Sequence, residues 1–186
     1  MILNNIKNRI IDYKIKNFNI YIFSYLLLVI VMVLLGFFKS NEPENFNNNI
    51  RYLAFNDFLF IFIFNLIQIL IWIFLSPFLV SFFMISQFLF SIGQGPIASN
   101  IDFRIYYLSS FLHGTCEIIV AFLVFIFTIE QIRAWFYFFR YKNDTRIKQL
   151  YLWLLKGIIP TIIIILLIGA FIEVYISNRL INYFFI

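Results

Sequence analysis

The chain has 186 residues, of which 63% are hydrophobic, 27 are phenylalanine and only 12% carry charge. A soluble domain of this size would carry about 25% charged residues, so the apolar excess excludes an ordinary soluble fold and requires lipid. The 14 basic residues outnumber the 9 acidic ones. They gather beside apolar stretches, which marks membrane topology and argues against a nucleic-acid partner.

The basic, Asn-rich leader holds Lys7, Arg9, Lys14 and Lys16. The first apolar run, 20–38, follows it without a small-residue cleavage motif, and so reads as a retained span. A polar loop over 39–57 contains Pro43 and Asn47–Asn48–Asn49. The next 35 residues, 58–92, are free of charge. One helix of that length would be about 52 Å long against a bilayer core of about 30 Å. Pro77 breaks it into spans over 58–75 and 78–92, joined by a very tight turn. A re-entrant 78–92 segment is the rival reading. Gly93, Gln94, Gly95 and Pro96 close this span with helix-breaker chemistry. A fourth span covers 105–129 and a fifth 157–176, with an apolar tail beyond. Between them lies a basic loop with Arg133, Arg140, Lys142, Arg146, Lys148 and Lys156, where Glu130 is solvated or pairs with Arg133 or Arg140.

Both basic blocks belong on the cytoplasmic side, and an even number of crossings must separate them. Four crossings satisfy that rule and three do not. The expected protein is therefore an all-α, polytopic bundle of five spans forming one domain. Its N-terminus lies in the cytoplasm of a cell-membrane protein, and its C-terminus outside.

Ionisable groups inside a span are costly and mark function or buried pairing. His113, the single histidine, and Glu117 stand four residues apart on one helix face. Glu173 lies in the fifth span with Ser177 four residues on, one turn after Gly169 and Ala170. Parity places all three ionisable groups in one leaflet, where they could share a pocket. Three readings stand for His113 and Glu117: a polar clasp between helices, a functional pocket in which the two are a hydrogen-bonded pair that orients His113 as a base, or two ligands of a metal. Asn65 and Gln68 offer hydrogen-bonding groups in the second span, most simply as packing glue. Gly114 with Gly169 and Ala170 suggests close approach of the fourth and fifth spans. Cys116 is alone, so neither a disulfide nor a cysteine metal site is expected. No Gly-rich nucleotide loop or nucleophile elbow is present, and no cofactor is called for.

The patterns Leu112, His113, Gly114, x, x, Glu117 and Ala170, Phe171, Ile172, Glu173 resemble motifs of the stage II sporulation protein M family of bacterial and archaeal membrane proteins. His113, Gly114 and Glu117 match its penultimate helix; Ala170, Glu173 and Ser177 match its last. Asn65 is similar to the Asn of the family's second span, and Gly93 or Gly95 to the Gly segment that follows it. Leu112 and Tyr175–Asn178 stand where the family often carries prolines. The resemblance implies a five-span bundle and a non-enzymatic scaffold or partner-binding subunit of an envelope complex. Its partners would be membrane-anchored proteins, peptidoglycan hydrolases in the sporulation case. Relatives of this size found with circular bacteriocins imply a second role, maturation, export or immunity acting on a hydrophobic peptide through the His/Glu pocket. A small transporter or channel using the same groups is a third. The sequence leaves the oligomeric state open.

Overall fold

The structure is a computed structural model that describes residues 18–39, 52–99 and 103–185. The first basic block and the Asn-rich loop expected at 39–57 lie largely outside the described residues. Helices α1 (Phe18–Lys39), α2 (Phe55–Leu75), α3 (Val80–Ala98) and α4 (Phe103–Tyr141) are followed by a long composite rod. The rod joins α5 (Thr145–Trp153), α6 (Ile159–Ile172) and α7 (Asn178–Phe185) through π turns at Leu154–Ile158 and Glu173–Ser177. No strand occurs among the described residues, and five helices are long and apolar enough to cross a membrane. The all-α multi-pass bundle expected from composition is the observed fold.

Several boundaries differ from the sequence reading. Helix α2 starts at Phe55 because Asp57 caps it, accepting the Ala54 N–H at 2.7 Å. A carboxylate in a first helical turn also meets the positive end of the helix dipole. The tight turn at Pro77 is real: a single 3₁₀ turn, Ser76–Phe78, ends at Leu79 in the left-handed region, with φ of 63°. Ser76 and Ser81 bond backbone carbonyls beside this turn. Ser76 Oγ donates to the Ile73 carbonyl at 2.6 Å, and Ser81 Oγ to the Trp72 carbonyl at 2.9 Å.

Gly93–Pro96 does not close the third span; the helix runs through it to Ala98. A bilayer offers no water for released backbone groups, so local breakers yield to helix continuity. Gly93 instead serves packing. A Cβ there would overlap the Val33 carbonyl, and one at Gly36 the Phe90 carbonyl. Helices α1 and α3 therefore cross with their backbones nearly touching at Gly36 and Gly93, the small-residue geometry of membrane helices. Since Gly36 lies near the end of α1 and Gly93 near the end of α3, the two run parallel. The third span is one continuous helix of 19 residues, long and apolar enough to cross a membrane.

The basic loop expected over 130–156 is a helical hairpin. Helix α4 has 39 residues, about 58 Å at 1.5 Å per residue, and continues past any bilayer core. It stops where Lys142 takes a φ of 53°. Asp144 then precedes α5, and Lys148 Nζ holds its carboxylate at 2.7 Å, which keeps that carboxyl below the usual range.

Helix α4 is the axis of the bundle. Val120, Ala121, Val124 and Phe127 are fully buried, packed with Trp72, Ile85, Leu89, Ile162 and Leu166. Outward-facing Phe23, Phe60, Phe74, Phe83 and Phe136 are exposed, as lipid-facing positions should be.

Candidate functional site

The sequence-selected residues converge on the N-terminal half of α4. Asn65 Nδ2 of α2 donates to Glu117 Oε1 at 3.1 Å. His113 Nδ1 lies 2.9 Å from Ser177 Oγ of the second π turn. One helical turn of α4 is thus tied to α2 on one side and to the fifth rod on the other. His113 and Glu117 share a face, but their side-chain bonds go to Ser177 and Asn65, not to each other. The directly bonded His–Glu pair, one of the sequence readings, is not formed.

Glu173 is half-buried and makes no hydrogen bond or ion pair with any described residue. It lies within Coulombic reach of Glu117, and Tyr106 within reach of both carboxylates. The π turn at Glu173–Ser177 matters here. Such a turn widens the helix by one residue, and these turns concentrate at functional sites.

The glycines divide by role. A Cβ on Gly169 would stand 3.2 Å from Cys116 Cβ and 4.0 Å from the His113 carbonyl, so α6 approaches α4 there as expected. Gly114 takes no part in that contact: a Cβ on it meets nothing within 4 Å. Gly114 lines a recess of about 460 Å³ between α1, α3 and α4. Val29, Ile30 and Val33 form one wall; Tyr106, His113 and Glu117 form the other. Behind Glu117 lies a small void of about 20 Å³ bounded by Asn65, Gln68 and Trp72. Among the described residues, no three His, Cys, Asp or Glu side chains group as a metal site.

Two features escaped the sequence reading. Tyr106 packs its hydroxyl against Gly95, where a Cβ would overlap it. Its spacing of seven from His113 and eleven from Glu117 puts all three on one helical stripe, a signal the sequence did carry.

The second is Glu130. It lies within α4 and is fully buried, not in a solvated loop. Tyr21 Oη donates to Glu130 Oε1 at 2.6 Å, Arg133 Nη1 to the same oxygen at 3.1 Å and Arg146 Nη2 to Oε2 at 3.4 Å. Arg133 also donates to Tyr21. The expected Arg133 pairing is present, and Arg146 rather than Arg140 supplies the second guanidinium. Beside it Ser76 donates to Gln131, which donates through Nε2 to Tyr151 Oη at 2.8 Å.

No protein-family model, no curated protein and no solved structure matches this chain.

Proposed function

We propose that this chain is a non-enzymatic membrane scaffold, a partner-binding subunit of a bacterial cell-envelope complex, as its resemblance to the stage II sporulation protein M family implies. The observation that carries the reading is the paired clasp. Asn65 holds Glu117 and Ser177 holds His113, so each group joins α4 to a neighbouring helix. Bonds of this kind in membrane bundles contribute about 0.6 kcal/mol each. They fix a helix in place and need no turnover. Partners in this reading are membrane-anchored proteins, peptidoglycan hydrolases in the sporulation setting.

The recess at His113, Gly114 and Glu117 favours a second reading, a maturation or export factor gripping a hydrophobic peptide.

Deletion of the gene in its host, followed by complementation, separates the two. A scaffold clasp expects Glu117→Gln to restore function, since the amide oxygen still accepts from Asn65, and Glu173→Gln to do so as well, since Glu173 holds no bond in the clasp. Loss of function at normal membrane levels would overturn the clasp and leave the charged pocket.

The proposed orientation places the Arg133–Lys156 end in the cytoplasm. Basic residues collect there, and Tyr21 brings the start of α1 to the same end. Leu53 N–H, bonded to Asn178 Oδ1 at 3.0 Å, marks the opposite end. In a Cys116→Ala background, Lys148→Cys should label from inside and Tyr52→Cys from outside. Labelling of both from one face would reverse the assignment.

A further inference from the structure

We infer that the recess between α1, α3 and α4 is a binding site for a lipophilic organic cation that enters from the bilayer and places its charge against Glu117.

Three observations select this class of ligand. The first is size and access. About 460 Å³ falls within the range of small-molecule sites. Its rim carries Ile30, Leu34 and Phe111, which are 57%, 50% and 68% exposed on the bundle surface. A ligand reaches the recess from among the acyl chains, so it must partition into lipid.

The second is charge. Among the described residues, Glu117 is the one carboxylate on the wall, and none of those lining the recess is a lysine or arginine. Glu173 adds like charge within Coulombic reach and has no ion-pair partner among the described residues. Asn65 satisfies one oxygen of Glu117 with a neutral donor only. A carboxylate in an apolar span is costly unless a cation approaches it. An anionic ligand would meet the Glu117 carboxylate, with no lysine or arginine among the described lining residues to offset it.

The third is wall chemistry. Tyr106, Tyr107 and Phe111 present aromatic surface, which holds delocalised or quaternary cations by cation–π attraction. Gly114 keeps the floor open, because any side chain there would project into unfilled space. The inference does not rest on the scaffold reading; a scaffold can carry such a site and a chain without partners can too.

The test uses the full chain in phosphatidylcholine nanodiscs, which hold no anionic lipid, with empty discs as the blank. Tetraphenylphosphonium should bind saturably at one site. Tetraphenylborate, of the same shape and opposite charge, should bind no more than to empty discs. Tetramethylammonium, cationic but hydrophilic, should bind at least tenfold more weakly. Glu117→Gln should weaken phosphonium binding at least tenfold with normal helicity and a single elution peak. Gly114→Leu leaves every charge in place and fills the recess, and it should weaken binding as strongly. It also decides the matter if Glu117→Gln does not fold. Equal binding of the borate, or of tetramethylammonium, would overturn the assignment of ligand class. Unchanged phosphonium binding by Gly114→Leu would overturn the location.

Discussion

Glu117 and Glu130 lie thirteen residues apart on the same helix, and their surroundings have little in common. Glu130 is fully buried, and a tyrosine hydroxyl and two guanidinium groups converge on it. Glu117 is half-buried, receives one neutral amide and borders an open recess. The first carboxylate is compensated in full by this chain's own residues. The second is compensated in part, and its remaining valence faces space. Buried charge that is fully paired secures an architecture, whereas buried charge left open is where a ligand can add free energy. The end near Glu130 is therefore the anchor of the bundle, and the stretch around Glu117 is its candidate site.

The largest effect expected from this contrast comes from stripping Glu130 of its cations. In Arg133→Ala/Arg146→Ala a buried carboxylate loses both guanidinium groups. Removing the partner of a buried charge costs about 3–5 kcal/mol. The lower end applies here, because the two arginine side chains are 40% and 34% exposed. Glu130→Gln should cost less, since the freed arginines can turn toward headgroups and the amide oxygen still accepts from Tyr21. Unfolding in detergent against a denaturant series measures both. Equal losses for the two variants would show that the arginines matter for packing and not for charge.

The contrast bears on what the sequence could reveal. Five apolar helices and the approach of α6 to α4 at Gly169 are legible in the sequence, because hydropathy acts over whole segments and small residues mark close contacts. The burial of Glu130 is not. It depends on Tyr21, 109 positions away, and on a hairpin that reads as a polar loop. Helix ends were misjudged for a related reason. Gly93 and Pro96 break helices in water, but in lipid the same glycine admits a neighbouring backbone. Gly114 reads in the sequence as a contact glycine with Gly169 and Ala170, and only the arrangement of α1 reveals that it faces a recess.

Next in size are the glycine crossings. Gly36→Leu and Gly93→Leu force backbone out of contact, and overpacking of this kind costs about 1–3 kcal/mol. Gly169→Leu should fall at the lower end, as its nearest neighbour is the Cys116 side chain at 3.2 Å and not backbone. Thermal denaturation in detergent should rank the variants in that order. An unaffected Gly93→Leu would mean that α1 is free to leave α3, and the recess would then have no fixed wall.

Glu117→Gln should shift stability by no more than about 0.6 kcal/mol, the average worth of one hydrogen bond between membrane helices. This is the sharpest form of the comparison, for the same chemical change at Glu130 removes an ion-paired charge. If Glu117→Gln destabilises as much as Glu130→Gln, the two carboxylates are both anchors.

An effect of opposite sign belongs to Gly114→Ala. Glycine within a helix is less favourable than alanine by about 0.5–1 kcal/mol, because the unfolded chain has more conformations to lose. At Gly36 or Gly93 that gain is swamped by the overlap of a new Cβ with backbone. At Gly114 nothing stands within 4 Å to oppose it. The variant should therefore be slightly more stable than the natural chain, by up to about 1 kcal/mol, in the same denaturation series. A glycine whose replacement by alanine stabilises the fold is not kept for packing. A loss of stability would instead place a neighbour against Gly114 and close the recess, and with it the distinction between an anchored carboxylate and an open one.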